Sequence, residues 1–159
     1  MPLSILWVDD QSAGITRLAD VLRMYGHTIS IRSDATQALA DLTLKHETYD
    51  VVIIDVMLPP GQRKDLFPNG VTDDGLSTGA LLIDYLIEGK KGENEPLRGI
   101  GKKLIILSGA SMERITQKIQ LRVRKYEIPY KQKGIYNDVV EFAQFVEEFA
   151  AKRTGGGAG

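Results

Sequence analysis

Five short apolar runs alternate with segments of helical period along this chain of 159 residues, and that alternation restricts the fold more than any other feature. The runs are Ser4–Val8, Thr28–Ile31, Val51–Ile54, Leu104–Leu107 and Ile128–Tyr130 with its neighbours. After the first run, Ile15, Leu18, Ala19 and Leu22 fall at i, i+3, i+4 and i+7, with Ser12 as a cap and Gly26 as a stop. Ala35, Ala38, Leu39 and Leu42 repeat the spacing, as do Leu76, Gly79, Ala80 and Ile83. Met112, Ile115, Ile119 and Val123 form the stripe of a fourth helix, capped by Ser111. Val139, Phe142, Ala143, Val146, Phe149 and Ala150 form that of a fifth.

Strand and helix repeated five times predict a parallel sheet with helices on both faces. Runs one, three and four are continuously hydrophobic, as strands covered on both sides must be. Run two alternates Thr, Ile, Ser, Ile, and run five holds Pro129, which cannot donate to a ladder. Both therefore belong at edges. These assignments give an α/β, flavodoxin-like, doubly wound (βα)5 fold with strand order 2-1-3-4-5. In such a sheet, chemistry is expected beyond the carboxyl ends of strands 1 and 3.

The length suits one domain, expected over 1–153, with 154–159 as a flexible tail. Two connections are long and rich in Gly, Pro and charge: an insertion at 60–74 after strand 3, and 88–102 before strand 4, at the opposite end of the sheet. The insertion reads either as a floppy surface loop or as a lid or partner-contacting element beside Asp55. With no cysteine, disulfides and thiolate chemistry are excluded. The net charge of −1 offers no global field for nucleic acid or anionic membrane. No apolar run reaches the length of a membrane span, and MPLSILWVDD lacks the basic start of a signal peptide. A cytoplasmic protein is the expectation, with neither membrane nor nucleic acid as a direct partner.

Strand 1 ends in Asp9-Asp10 and strand 3 in Asp55, so three carboxylates converge at neighbouring strand ends. Like charges so close raise one another's pKa values unless neutralised. A hard divalent cation with oxygen ligands, Mg²⁺ in particular, is the natural neutraliser. The blander alternative is that one aspartate merely caps the first helix. Strand 4 ends in Ser108, whose hydroxyl suits a phosphoryl oxygen. Strand 5 leads into Lys131, Gln132 and Lys133, where a lysine can act as a point charge.

In these stretches, ILWVDDQ, VVIIDVMLPPG, the DGL of Asp74–Leu76, LIILSGAS and YKQK, the chain resembles the receiver domains of two-component response regulators. The resemblance covers about Ser4 to Ala151, apart from the two long connections. It implies a phosphoacceptor at Asp55, a Mg²⁺ site formed by Asp9, Asp10, Asp55 and the backbone carbonyl of Met57, and a catalytic lysine at Lys133. It further implies a switch pair of Ser108 and Tyr130, with Pro59 in the family's usual proline place. By that resemblance a histidine kinase or histidine phosphotransfer protein supplies the phosphoryl group in a phosphorelay. The chain would then be a switch that catalyses its own phosphorylation and dephosphorylation, and not an enzyme acting on other substrates. Output would pass through the fourth helix, fifth strand and fifth helix, where basic Arg114, Lys118, Arg122, Arg124 and Lys125 and acidic Asp138, Glu141, Glu147 and Glu148 suggest a homodimer.

The sequence departs from the family at Gly134, where a proline usually follows the lysine, and in the insertion. Two other readings compete: a degenerate receiver that only binds proteins, and a phosphatase with an aspartyl-phosphate intermediate. The phosphatase needs a second aspartate two residues after the nucleophile, and Met57 stands there.

Overall fold

The computed structural model describes residues 2–10, 12–133 and 139–156. The strands are β1 (Ser4–Val8), β2 (Thr28–Arg32), β3 (Val51–Ile54), β4 (Leu104–Ser108) and β5 (Tyr130–Gln132). The helices are α1 (Ser12–Met24), α2 (Ala35–Lys45), a single turn α3 (Asn69–Thr72), α4 (Thr78–Glu88), α5 (Glu113–Tyr126) and α6 (Val139–Gly156). All strand pairs are parallel, in the order β2-β1-β3-β4-β5. This is the flavodoxin-like arrangement expected from the pattern of apolar runs.

The period of two along each strand divides the core into two layers. Leu6, Val8, Val52, Ile54, Leu104 and Ile106 face α2, α4 and α5. Ile5, Trp7, Val51, Ile53, Ile105 and Leu107 face α1 and α6, where Trp7 packs on Phe142 with ring centroids 5.6 Å apart. Every residue of β3 and β4 is buried, whereas β2 and β5 are only partly covered, as edges are.

Several boundaries differ from expectation. The fifth strand is Tyr130–Gln132 and not Ile128–Tyr130. Pro129 precedes it, lacking an N–H to donate, but its carbonyl accepts from the Ile106 N–H at 3.0 Å. The fifth strand is thus polar in sequence and visible only through its partner. Helix α5 starts one residue after Met112, which is its exposed N-cap residue, and Ser111 lies outside it. Leu76 precedes α4 and does not belong to its helical stripe, although it packs on the core. Helix α6 runs on to Gly156, past the expected boundary at 153.

The insertion at 60–74 is not a floppy surface loop. Its Leu66 and Phe67 are buried in the main core. Phe67 lies against Tyr85 of α4 with centroids 5.4 Å apart, and the Tyr85 hydroxyl donates to the Leu66 carbonyl at 2.6 Å. On its other side, Thr36 of α2 donates to the Pro60 carbonyl and accepts from the Arg63 N–H. The segment therefore fills the groove between α2 and α4. Running along α4, it meets the connection at 88–102 through an Arg63–Glu93 pair at 2.7 Å. That second connection is also ordered, with a bridge between Lys90 and Asn94 and with Leu97 and Ile100 buried.

Candidate functional site

The register of β1 and β3 brings the acids together. The Asp55 N–H donates to the Val8 carbonyl at 2.9 Å, which levels the two strand ends, and the Asp9 N–H donates to the Arg32 carbonyl of β2. One carboxylate oxygen from each of Asp9, Asp10 and Asp55 lies within 4.8 Å of the others. Asp9 and Asp55 are each only 1% exposed, while Asp10 faces solvent.

Lys133 reaches this cluster from the end of β5. Its N–H donates to the Ser108 carbonyl at 2.9 Å, fixing its backbone beside β4. Its ammonium lies 2.5 Å from Asp9 Oδ2 and 2.8 Å from Asp55 Oδ2. The other Asp55 oxygen, Oδ1, accepts from the Met57 N–H at 3.1 Å. Both oxygens of Asp55 are therefore held, and the carboxylate cannot swing away.

Burial pushes the Asp55 pKa up, and the nearby Asp9 charge adds to this against the downward pull of Lys133. Burial would lower the Lys133 pKa, but its hydrogen bonds to Asp55 and Asp9 outweigh that and leave it raised. The Lys133 ammonium pairs with Asp9 and Asp55, and Asp10 adds a third carboxylate to the cluster. The donor set of hard oxygens with unbalanced negative charge fits a divalent cation such as Mg²⁺.

Ser108, at the end of β4, is fully buried, and its Oγ accepts from the Ala110 N–H at 3.3 Å. Tyr130 pairs with Ile106 in the β4–β5 register, and its hydroxyl donates to the Ser108 carbonyl at 3.4 Å. Burial, and secondarily the charge of Asp55, raise the Tyr130 pKa. The structure thus brings Asp9, Asp10, Asp55, Met57, Ser108, Tyr130 and Lys133 to one edge of the sheet. Gly134 lies outside the described residues.

Sequence reasoning missed Gly79. The DGL stretch at Asp74–Leu76 was matched as a motif, but the glycine pressed on the acceptor's backbone is four residues further on. The Gly79 N–H donates to the Val56 carbonyl at 2.9 Å, and a β-carbon there would meet Val56 Cα at 2.7 Å and collide with the Asp55 carbonyl oxygen. A glycine in the first turn of a helical stripe beside the acceptor strand was the available signal.

Solved structures of receiver domains share this α/β fold. A CheY-like response regulator receiver domain protein from Methanospirillum hungatei JF-1 superimposes with a TM-score of 0.65 over 98% of each chain, at 18% identity. The signal receiver domain of an HD domain-containing protein from Pseudomonas fluorescens Pf-5 matches with a TM-score of 0.65, over 98% of this chain and 99% of its own, at 22% identity. The receiver domain of Francisella response regulator 1452 gives 0.63 at 21% identity, over 96% and 98%. No protein-family model matches the sequence, and no curated protein does. What these structures share with the chain is the fold, the CheY-like arrangement over 98% of its length.

Among the described residues, no helix is long and apolar enough to cross a membrane.

Proposed function

We propose that this protein is a response regulator receiver that accepts a phosphoryl group on Asp55 from a histidine kinase or histidine phosphotransfer protein. The observation that carries this reading is the buried Asp9–Lys133–Asp55 cluster at the carboxyl ends of the strands.

In the transfer, an Asp55 carboxylate oxygen attacks the phosphorus of a donor phosphohistidine. A P–O bond forms, the P–N bond breaks, and the imidazole leaves with its electron pair. Catalysis rests on positioning and charge, since a carboxylate is a weak nucleophile unless held in line. Asp9, Asp10, Asp55 and the Met57 carbonyl are the residues that would hold Mg²⁺, which supplies positive charge toward the phosphoryl oxygens. Lys133, already 2.8 Å from Asp55, moves its point charge onto the phosphoryl oxygens. The Ser108 hydroxyl, which accepts from the Ala110 N–H, donates a hydrogen bond to a phosphoryl oxygen. Water attacking the phosphorus of the aspartyl phosphate breaks its P–O bond to Asp55, releases inorganic phosphate and the free carboxylate, and so resets the switch.

The signal leaves through α5, β5 and α6. A shift of Ser108 moves the carbonyl that Tyr130 holds, and so reshapes that surface. A two-fold dimer formed there has fewer free cations than the sequence suggests. Arg114 and Lys118 pair with Asp73, Arg122 with Asp84, and Lys125 with Glu88, all within the chain. The remaining exposed contacts on α5 include Leu121 and Arg124. The protein is proposed to act in the cytoplasm.

A labelled phosphohistidine on a phosphotransfer protein tests the reading directly. Label should pass to the wild-type chain and not to Asp55→Asn. Label retained on the donor with both chains, across a panel of such donors, would contradict it and favour a receiver that only binds proteins.

A further inference from the structure

The insertion closes on an unusual turn. Asp73, Asp74 and Gly75 have φ of 53°, 57° and 94°, three left-handed residues in succession, of which only glycine adopts such a φ without steric cost. Something must hold the two aspartates there. Asp73 Oδ1 lies 3.1 Å from Arg114 Nε, and Oδ2 accepts from Lys118 Nζ at 2.6 Å and from Ser77 Oγ at 2.8 Å. Lys118 Nζ also donates to the Val71 carbonyl at 3.1 Å and to Ser77 Oγ at 3.2 Å. The turn is thus clamped by two cations of α5 and by the residue preceding α4. The bond to Lys118, then that to Ser77, hold the Asp73 carboxyl below its usual range.

The end of this turn touches the acid site. The Gly75 carbonyl accepts from the N–H of Leu58 at 3.1 Å, and Leu58 is 2% exposed. That N–H belongs to the same rigid peptide plane as the Met57 carbonyl. In a trans peptide the two point in opposite directions, so a partner that fixes the N–H also fixes where the C=O is aimed.

We infer that Asp73 is a positioning residue for the metal-binding carbonyl of Met57: gripped by Lys118 and Arg114, it holds the left-handed turn whose Gly75 carbonyl orients the Met57–Leu58 peptide. The insertion is then an outer support of the cation site, and cation affinity is coupled to the seat of α5. This rests on the reading of Asp9, Asp10 and Asp55 as a cation site. Outer supports of metal ligands typically change affinity by about 10–100-fold when removed.

Calorimetric titration of Mn²⁺ alone into the full chain tests it, with amide exchange at Leu58 in chelator as a second readout. Asp73→Ala is expected to weaken Mn²⁺ binding on the order of 10-fold and to speed exchange at Leu58. Asp73→Asn should rescue part of both, because Asn tolerates positive φ and keeps an acceptor for Ser77 and Lys118. Arg63→Ala, which frees the far part of the insertion from Asp65 and Glu93, should change neither. Should Asp73→Ala fail to fold, Lys118→Met carries the same expectation from the α5 side. Wild-type affinity and wild-type exchange in a folded Asp73→Ala would overturn the inference, as would an equal loss in Arg63→Ala. No Mn²⁺ binding by the wild-type chain would instead strike at the proposed function, and take the inference with it.

Discussion

Gly79 is packed against the backbone of Asp55 so closely that no β-carbon fits between them: one built there overlaps the Asp55 carbonyl oxygen and lies 2.7 Å from Val56 Cα. The first turn of α4 therefore rests directly on the strand end that presents the acceptor, and the Gly79 N–H bonds to the Val56 carbonyl. Elsewhere in a helix, alanine is better than glycine by about 1 kcal/mol. Here Gly79→Ala should instead destabilise by about 1–3 kcal/mol, the usual cost of overpacking. Urea denaturation measures this, and a stabilised variant would show that the contact relaxes at no cost.

Phe67 gives a test of the insertion. Two apolar residues in a charged loop would contribute nothing if the loop were solvated. Phe67 is instead fully buried against Tyr85, and Phe67→Ala should cost about 3–5 kcal/mol. A change in denaturation midpoint within error would return the insertion to the status of a surface loop.

The raised pKa of Asp55 has a consequence for stability in chelator. A group whose folded pKa exceeds its unfolded value, 3.8 here, favours the folded state most below that unfolded value. That contribution fades as pH rises through the folded pKa, because an increasingly charged carboxylate must then stay buried beside Asp9. Asp55→Asn removes the charge, so it should melt higher than wild type at neutral pH, with the gap closing as the medium is acidified through this window. Thermal melts of both proteins across that range supply the check. A gap between Asp55→Asn and wild type no larger at pH 7 than at pH 3.5 would show that Lys133 already neutralises the carboxylate fully.

Lys133 is seated on both buried acids. Lys133→Ala should slow phosphoryl uptake from a small donor on the order of 10²-fold, the effect typical of losing one well-placed charge-stabilising donor. It should leave the Asp55 adduct possible, since the nucleophile is intact. Uptake at the wild-type rate would remove Lys133 from the account.

The fold was largely legible because its central strands are buried on both faces. Val51–Ile54 is apolar throughout, as a strand covered on both faces is. The fifth strand was harder, because Tyr130, Lys131 and Gln132 sit at an edge and are paired only through β4. Nothing local marks them as a strand. The acids were readable for the same reason as the fold: Asp9 and Asp55 each follow a buried run, and parallel strands bring such ends level. The role of the insertion was hidden because Leu66 and Phe67 have no period of their own. Their burial depends on Tyr85, which lies on a helix beyond the insertion's own end. Gly79 was read as a small member of a helical stripe, because the backbone it touches precedes it by more than twenty residues. Ion pairs of α5 with Asp73, Asp84 and Glu88 were likewise invisible to a reading that counted charges on each helix by itself.

Intact mass measured after incubation with a small-molecule phosphodonor tests the central claim most directly, with Mg²⁺ or with chelator, on wild type and Asp55→Asn. The account predicts a single phosphoryl adduct on the wild-type chain that needs Mg²⁺ and is lost in Asp55→Asn. An adduct that persists in Asp55→Asn, or a wild-type chain that takes up none with Mg²⁺ present, would contradict it.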